Sequence, residues 1–218
     1  MGYFTINTVS EIICLLVAIF CLFRDKNAYW RSFVVYMFLV CLTELGGLYL
    51  HKHNITNAII YTGFLIIECS MVSSFFYYLF YKYHPKSKWI YIWLVIFIIA
   101  YITELANIPF NYFPNHTTTF MSVVFVIASL YYYLLITRDE TFRNLGSYPQ
   151  FWIVNGILFF YFGSTACNVF FEYLLQEIVT SMSMSIRYIT FNILNILLYG
   201  CWSYAFICRY RQRNSFTS

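Results

Sequence analysis

Seven runs of mostly apolar residues follow one another along the chain, at about residues 4–23, 29–50, 57–81, 89–106, 117–136, 150–174 and 185–208, separated by short hydrophilic joints. A helix needs about 20 such residues to cross the hydrocarbon core of a bilayer, and each run has roughly that length. Lipid offers no hydrogen bonds, so every backbone N–H and C=O in a spanning run must be bonded within the protein, which the α-helix does by itself. The runs therefore predict an all-α membrane protein, a single seven-helix transmembrane domain over residues 1–218. Composition excludes a soluble fold. The chain is 61% hydrophobic and 10% charged, against about 45–50% and 25% in ordinary soluble domains.

The charges predict an orientation. If the N-terminus lies outside, eleven of the thirteen Lys and Arg fall on the cytoplasmic side and only Lys52 and Arg187 on the other. Cytoplasmic loops carry such an excess, so the expectation is N-terminus outside and C-terminus inside. The first run has Arg24 and Lys26 behind it and no basic residue ahead, the reverse of a secretory signal peptide. The basic segment from Arg209 to Arg213 reads as an anchor at the membrane surface rather than a nucleic-acid patch. Ten residues follow Cys208, so no output domain is expected there and any signal is expected to leave by contact with another protein.

The acids are distributed differently. Asp25, Asp139 and Glu140 fall in the predicted inner loops, whereas Glu11, Glu44, Glu68, Glu104, Glu172 and Glu177 fall at membrane depth or on the outer side. Glu68 sits in the middle of the third run, where a charge costs from about 3 kcal/mol upward unless it faces protein or water. At about 100° per residue, Tyr61, Phe64, Leu65, Met71, Val72 and Phe75 share its face, while Gly63, Ser70 and Ser74 form a small-residue stripe opposite, suited to close helix packing. The sixth run carries Tyr161, Ser164, Thr165, Asn168 and Glu172 in steps of three and four, and the seventh carries Asn192 and Asn195 with Tyr188 and Tyr199 at spacings of four. Such stripes serve either as interhelical glue or as the lining of a wet cavity. The cavity reading places a site between helices 2, 3, 6 and 7, with Glu44, Glu68, Asn168, Glu172, Asn192 and Asn195 as ligand candidates and Tyr61, Tyr161, Tyr188 and Tyr199 as aromatic lining.

A faint internal repeat accompanies this geometry. A shift of 127 residues lays Tyr61 on Tyr188, Glu68 on Asn195, Phe75 on Trp202 and Lys82 on Arg209. Two three-helix segments joined by an inverting fourth helix would form a 3+1+3 parallel repeat, as in sugar transporters of the SWEET type. Catalytic motifs are missing: there is no nucleophile elbow, no His-Glu-x-x-His and no phosphate-binding glycine loop. The seventh run has no lysine to bear a retinal Schiff base, and no cofactor is expected. His51, His53 and His116 are weak metal candidates, read first as solvated loop residues, and the seven cysteines form no Cys-x-x-Cys pair. Asn54-Ile55-Thr56 and Asn115-His116-Thr117 match glycosylation sequons.

Four stretches, Arg31 to Glu44, Ile59 to Glu68, Phe151 to Tyr161 and Asn192 to Gly200, resemble a family of small seven-helix bacterial integral membrane proteins. The resemblance covers nearly the full chain and implies the bacterial inner membrane as its compartment, a lipid bilayer as its surroundings and a membrane signalling partner such as a sensor kinase. With the polar cluster, it leads to a non-enzymatic sensory or regulatory protein that reads a ligand or membrane state and acts through a partner. The alternative is a transporter of small solutes, cations among them. Nucleic acid is not an expected partner.

Overall fold

The computed structural model describes residues 5–81, 83, 88–109, 112–138, 145–170 and 186–215, with the backbone alone at 186 and 187. Among these residues the chain forms α1 (Ile6–Leu22), α2 (Ala28–Lys52), α3 (Ala58–Tyr81), α4 (Trp89–Asn107), α5 (Asn115–Arg138), α6 (Pro149–Val169) and α7 (Ile186–Ser215), with a short 3-10 turn at Leu145–Ser147. All but α1 are long and apolar enough to cross a membrane. The chain is an all-α integral membrane protein. The 17 residues of α1 are apolar too and rise about 26 Å.

Local chemistry fixes the helix ends. Thr5 caps α1, its hydroxyl accepting the Thr8 N–H at 3.2 Å. The Asp25 carboxylate accepts the Asn27 N–H at 2.8 Å, and the Asn27 side-chain oxygen Oδ1 in turn accepts the Tyr29 N–H at 2.9 Å, which caps α2. At the other end of α2, Asn54 takes φ 57°. There the Ile55 N–H reaches Leu50 O and the Asn54 N–H reaches His51 O, the paired closure that ends a helix with a left-handed residue, a conformation asparagine tolerates. Pro149, whose missing N–H costs nothing at a helix start, opens α6.

Two boundaries differ from the sequence expectation. The sixth run was expected to reach Leu174, but Phe170 already leaves helical geometry. Residues 171–174 of that run lie outside the described residues. In contrast, α7 runs on through Ser215, so Arg209 to Ser215 is not a loose tail. Its last two turns are tied down: Arg209 pairs with Asp25, and Gln212 Nε2 donates to Ser147 O at 3.0 Å.

The helices fall into two compact units. One comprises residues up to Leu42 and from Thr141 onward, and the other Thr43–Glu140, so α2 contributes to both. In the first unit Trp30, Phe33 and Met37 of α2 and Trp202 and Phe206 of α7 are fully buried. Phe33 meets Trp202 and Phe206 edge-on at 5.6 and 5.7 Å, a favoured aromatic geometry. In the second, Phe76 and Trp93 each lie 6.2 Å from Phe125, Trp93 Nε1 donates to Ser73 Oγ at 2.9 Å, and the Tyr101 hydroxyl donates to Thr62 O at 3.1 Å. These units do not coincide with the two three-helix segments of a 3+1+3 repeat, since α1 groups with α6 and α7 and α3 groups with α4 and α5.

Candidate functional site

Glu44 and Tyr61 come together in the second unit. The Tyr61 hydroxyl donates to Glu44 Oε2 at 2.9 Å and joins α2 to α3. Gly47 makes this contact possible, because a Cβ there would lie 2.5 Å from the Tyr61 hydroxyl and 2.9 Å from its Cζ. Two turns along α3, Glu68 is half-buried on the face that carries the buried Leu65, Val72 and Phe75. The opposite stripe does not pack as expected: Gly63 has nothing within 4 Å of its Cβ position, and Ser70 and Ser74 are exposed. Close packing in a membrane needs a partner helix with a matching surface, and here the inward side of α3 is the one with the large side chains.

The pair at Gly47 yields a test. Gly47→Ala and Tyr61→Phe are each expected to lower stability by about 1 kcal/mol, the worth of the lost bond. Both changes break the same contact, so the double variant should lose less than the sum. Thermal unfolding of the four proteins in detergent measures this, and strictly additive losses would show that Gly47 and Tyr61 are not coupled.

In the first unit, α6 and α7 touch at glycines. A Cβ on Gly163 would lie 2.5 Å from Leu194 Cδ2, and one on Gly156 would lie 3.1 Å from Trp202 Cδ1 and 3.2 Å from Leu198 O. These contacts place the α7-facing side of α6 roughly 130° round the helix from Tyr161 and Asn168. Tyr161 and Ser164 are buried, Thr165 and Asn168 are half-buried, and the Thr165 hydroxyl donates to its own helix at Tyr161 O, 2.8 Å. Glu172 lies outside the described residues. On α7, Asn192 and Tyr199 are buried, Asn195 is half-buried and Tyr188 is exposed. Asn192 Oδ1 and Trp202 Nε1 are buried with no hydrogen-bond partner among the described residues. Buried polar atoms of this kind are expensive and rare.

The sequence reading passed over one residue that the fold buries. Glu11 is 6% exposed, on the α1 face formed by Thr8, Cys14, Ala18 and Cys21. The Cys14 thiol hydrogen-bonds the Ser203 side chain, and Phe20 meets Tyr210 at 5.8 Å. Six residues along α1 thus match seven along α7, so the helices run parallel and Glu11 stands level with Tyr199 and Gly200. The signal was present as polar and small residues at steps of three and four, with Ile6, Val9, Ile13, Leu16 and Phe20 exposed on the other side.

At the far end of α7 the unit carries an ion pair. Arg209 Nε and Nη2 reach Asp25 Oδ2 and Oδ1 at 2.9 and 3.2 Å, and the guanidinium lies 5.3 Å over the Trp30 ring. Burial pushes the Asp25 carboxyl up, but the Arg209 hydrogen bonds, the Asn27 N–H and the charges of Arg209 and Arg213 outweigh it and hold the group below the ordinary carboxylate value.

The histidines do not gather. His51 and His53 are exposed, His53 Nδ1 pairs with Tyr49 O at 2.9 Å, and His116 is exposed at the start of α5. Among the described residues no three His, Cys, Asp or Glu side chains are placed to hold a metal ion. What the spans do offer is carboxylates and amides at membrane depth, groups suited to taking up protons or holding a polar ligand. Comparison of the chain with protein-family models, curated proteins and solved structures finds no match.

Proposed function

We propose that the protein is a non-enzymatic sensory or regulatory membrane protein, in which polar groups inside the spanning helices receive a ligand or membrane state and α7 passes it to a partner protein. The observation that carries this reading is the course of α7. One unbroken helix holds buried Asn192, stands level with Glu11 at Tyr199, and ends beyond the Asp25–Arg209 pair. From Asn192 to Arg209 it rises about 26 Å, so a shift at the buried polar groups moves an ion pair near the other end of the same rigid element. Glu44 and Glu68, on α2 and α3, supply further acids in the spans.

The test uses the purified full chain. Reconstituted into proteoliposomes it should pass no solute from a broad panel, and it should co-purify from its native membrane with a signalling partner. The partner's response should be lost in the Glu68→Gln, Asn195→Leu double variant. Solute flux that disappears in Glu68→Gln would establish transport in place of sensing, and an unchanged response in the double variant would overturn the role given to these polar groups.

A further inference from the structure

Where α4 ends and α5 begins, a groove of about 520 Å³ opens within the second unit, lined by Ala100, Thr103, Glu104, Asn107, His116 and Phe120 among others. Its lining presents several acceptors. The Thr103 hydroxyl spends its one hydrogen on Ile99 O and Ala100 O, at 2.7 and 2.9 Å, and so presents only lone pairs. Asn107 turns its Nδ2 to Thr103 O at 2.7 Å, which leaves its carbonyl oxygen to act as acceptor. Glu104 bonds the first amides of α5, with Oε1 3.0 Å from the His116 N and Oε2 2.6 Å from the Thr117 N. Each carboxylate oxygen then keeps one lone pair. His116 is the one basic side chain that lines the groove, which has no Lys or Arg.

A site of one carboxylate and two neutral acceptors asks for a cation that brings its own N–H donors. The floor asks for something more. Ala100 and Phe120 are apolar, and Ile96, Ile99 and Val123 lie exposed on the same two spanning helices. A ligand with a donor-rich cationic head and a hydrocarbon tail satisfies both halves. We propose that this groove binds the primary ammonium group of an amphiphile, and that an ethanolamine phospholipid of the surrounding bilayer or a free long-chain amine supplies it. A quaternary ammonium has no N–H to donate and fits poorly.

The site stands apart from the sensory reading, because its occupancy is read in the purified protein without any partner. Native mass spectrometry of the full chain measures retention of phosphatidylethanolamine against phosphatidylcholine of the same chains, and of dodecylamine against dodecyltrimethylammonium. The primary amine of a pair should be held roughly tenfold better, the discrimination expected for a charged hydrogen bond. A preference within the phospholipid pair assigns the site to the bilayer, and a preference within the detergent-like pair alone assigns it to a free amine. Glu104→Gln should abolish the preference but also weakens the start of α5, so Ala100→Phe, which fills the groove from its floor, is the deciding variant. Equal retention within both pairs, or a preference that survives Ala100→Phe in a folded protein, would overturn the proposal.

Discussion

Asp25→Ala lowers the stability of the purified protein at neutral pH by about 2 kcal/mol, and Asp25→Asn by somewhat less. Breaking a fully buried ion pair costs about 3–5 kcal/mol, and the smaller figure allows for Arg209, whose side chain is 26% exposed while that of Asp25 is 2% exposed. The loss has a pH signature. The Asp25 carboxyl in the folded protein sits below its ordinary value because Arg209, the Asn27 N–H and Arg213 favour the charge more than burial opposes it. Its contribution is therefore complete above the unfolded value of about 3.9 and fades as pH falls through the lower folded value. Wild type should lose stability below about pH 4, whereas Asp25→Asn should lack this component. Unfolding midpoints from pH 7 to pH 3 measure the difference, and hydrogen exchange in Arg209 to Ser215 should rise in the variant. An Asp25→Asn protein as stable as wild type at pH 7 would show that the pair does not hold the end of α7.

Much of the fold was legible because lipid imposes a simple rule on sequence. Runs of about 20 apolar residues mark the helices, and their starts match to within two residues. The end of α7 was not legible. Hydropathy stops at Cys208, yet Asp25, 184 residues away in sequence, supplies the charge that keeps Arg209 in the helix. Glu11 was visible as an acid but not as a buried one, since a short run near the N-terminus gives no sign of which neighbour covers it. The division into two units within α2 falls where the all-apolar stretch up to Leu42 gives way to Thr43, Glu44, Gly46 and Gly47, but hydropathy reads the whole run as one span. Small residues were the most misleading. Gly63, Ser70 and Ser74 form a clean stripe and stand exposed, while Gly156 and Gly163, at a plain spacing of seven, carry the α6–α7 contact. Periodicity shows that a face is small. Only the partner helix decides whether the space is used.

That distinction predicts how the glycines respond to substitution. Gly156→Leu is expected to destabilise the protein by about 3 kcal/mol, near the upper end for overpacking. The new Cβ would meet Trp202 Cδ1 at 3.1 Å, Cys201 Cβ at 3.2 Å and the Leu198 carbonyl oxygen at 3.2 Å. A backbone oxygen cannot rotate away, and Trp202 is held edge-on against Phe33, so the remaining atoms of the leucine have no room unless α6 and α7 separate. Gly156→Ala should cost about 1 kcal/mol by the same contacts. Gly163→Ala should cost less than Gly156→Ala, although its Cβ would come closer, at 2.5 and 2.7 Å from the two Leu194 methyls and 3.2 Å from its Cγ, because all three atoms belong to one side chain that can shift as a whole and none to the backbone. At Gly63 and Gly200, where nothing lies within 4 Å, alanine should be neutral or stabilise by up to about 1 kcal/mol, since glycine gives up more backbone freedom in a helix. Unfolding of the five variants in one detergent ranks them, and the informative comparison is Gly163 with Gly156. If alanine at Gly163 costs more, Leu194 is locked by its surroundings, and the α6–α7 seam is rigid along its whole length rather than only at Trp202.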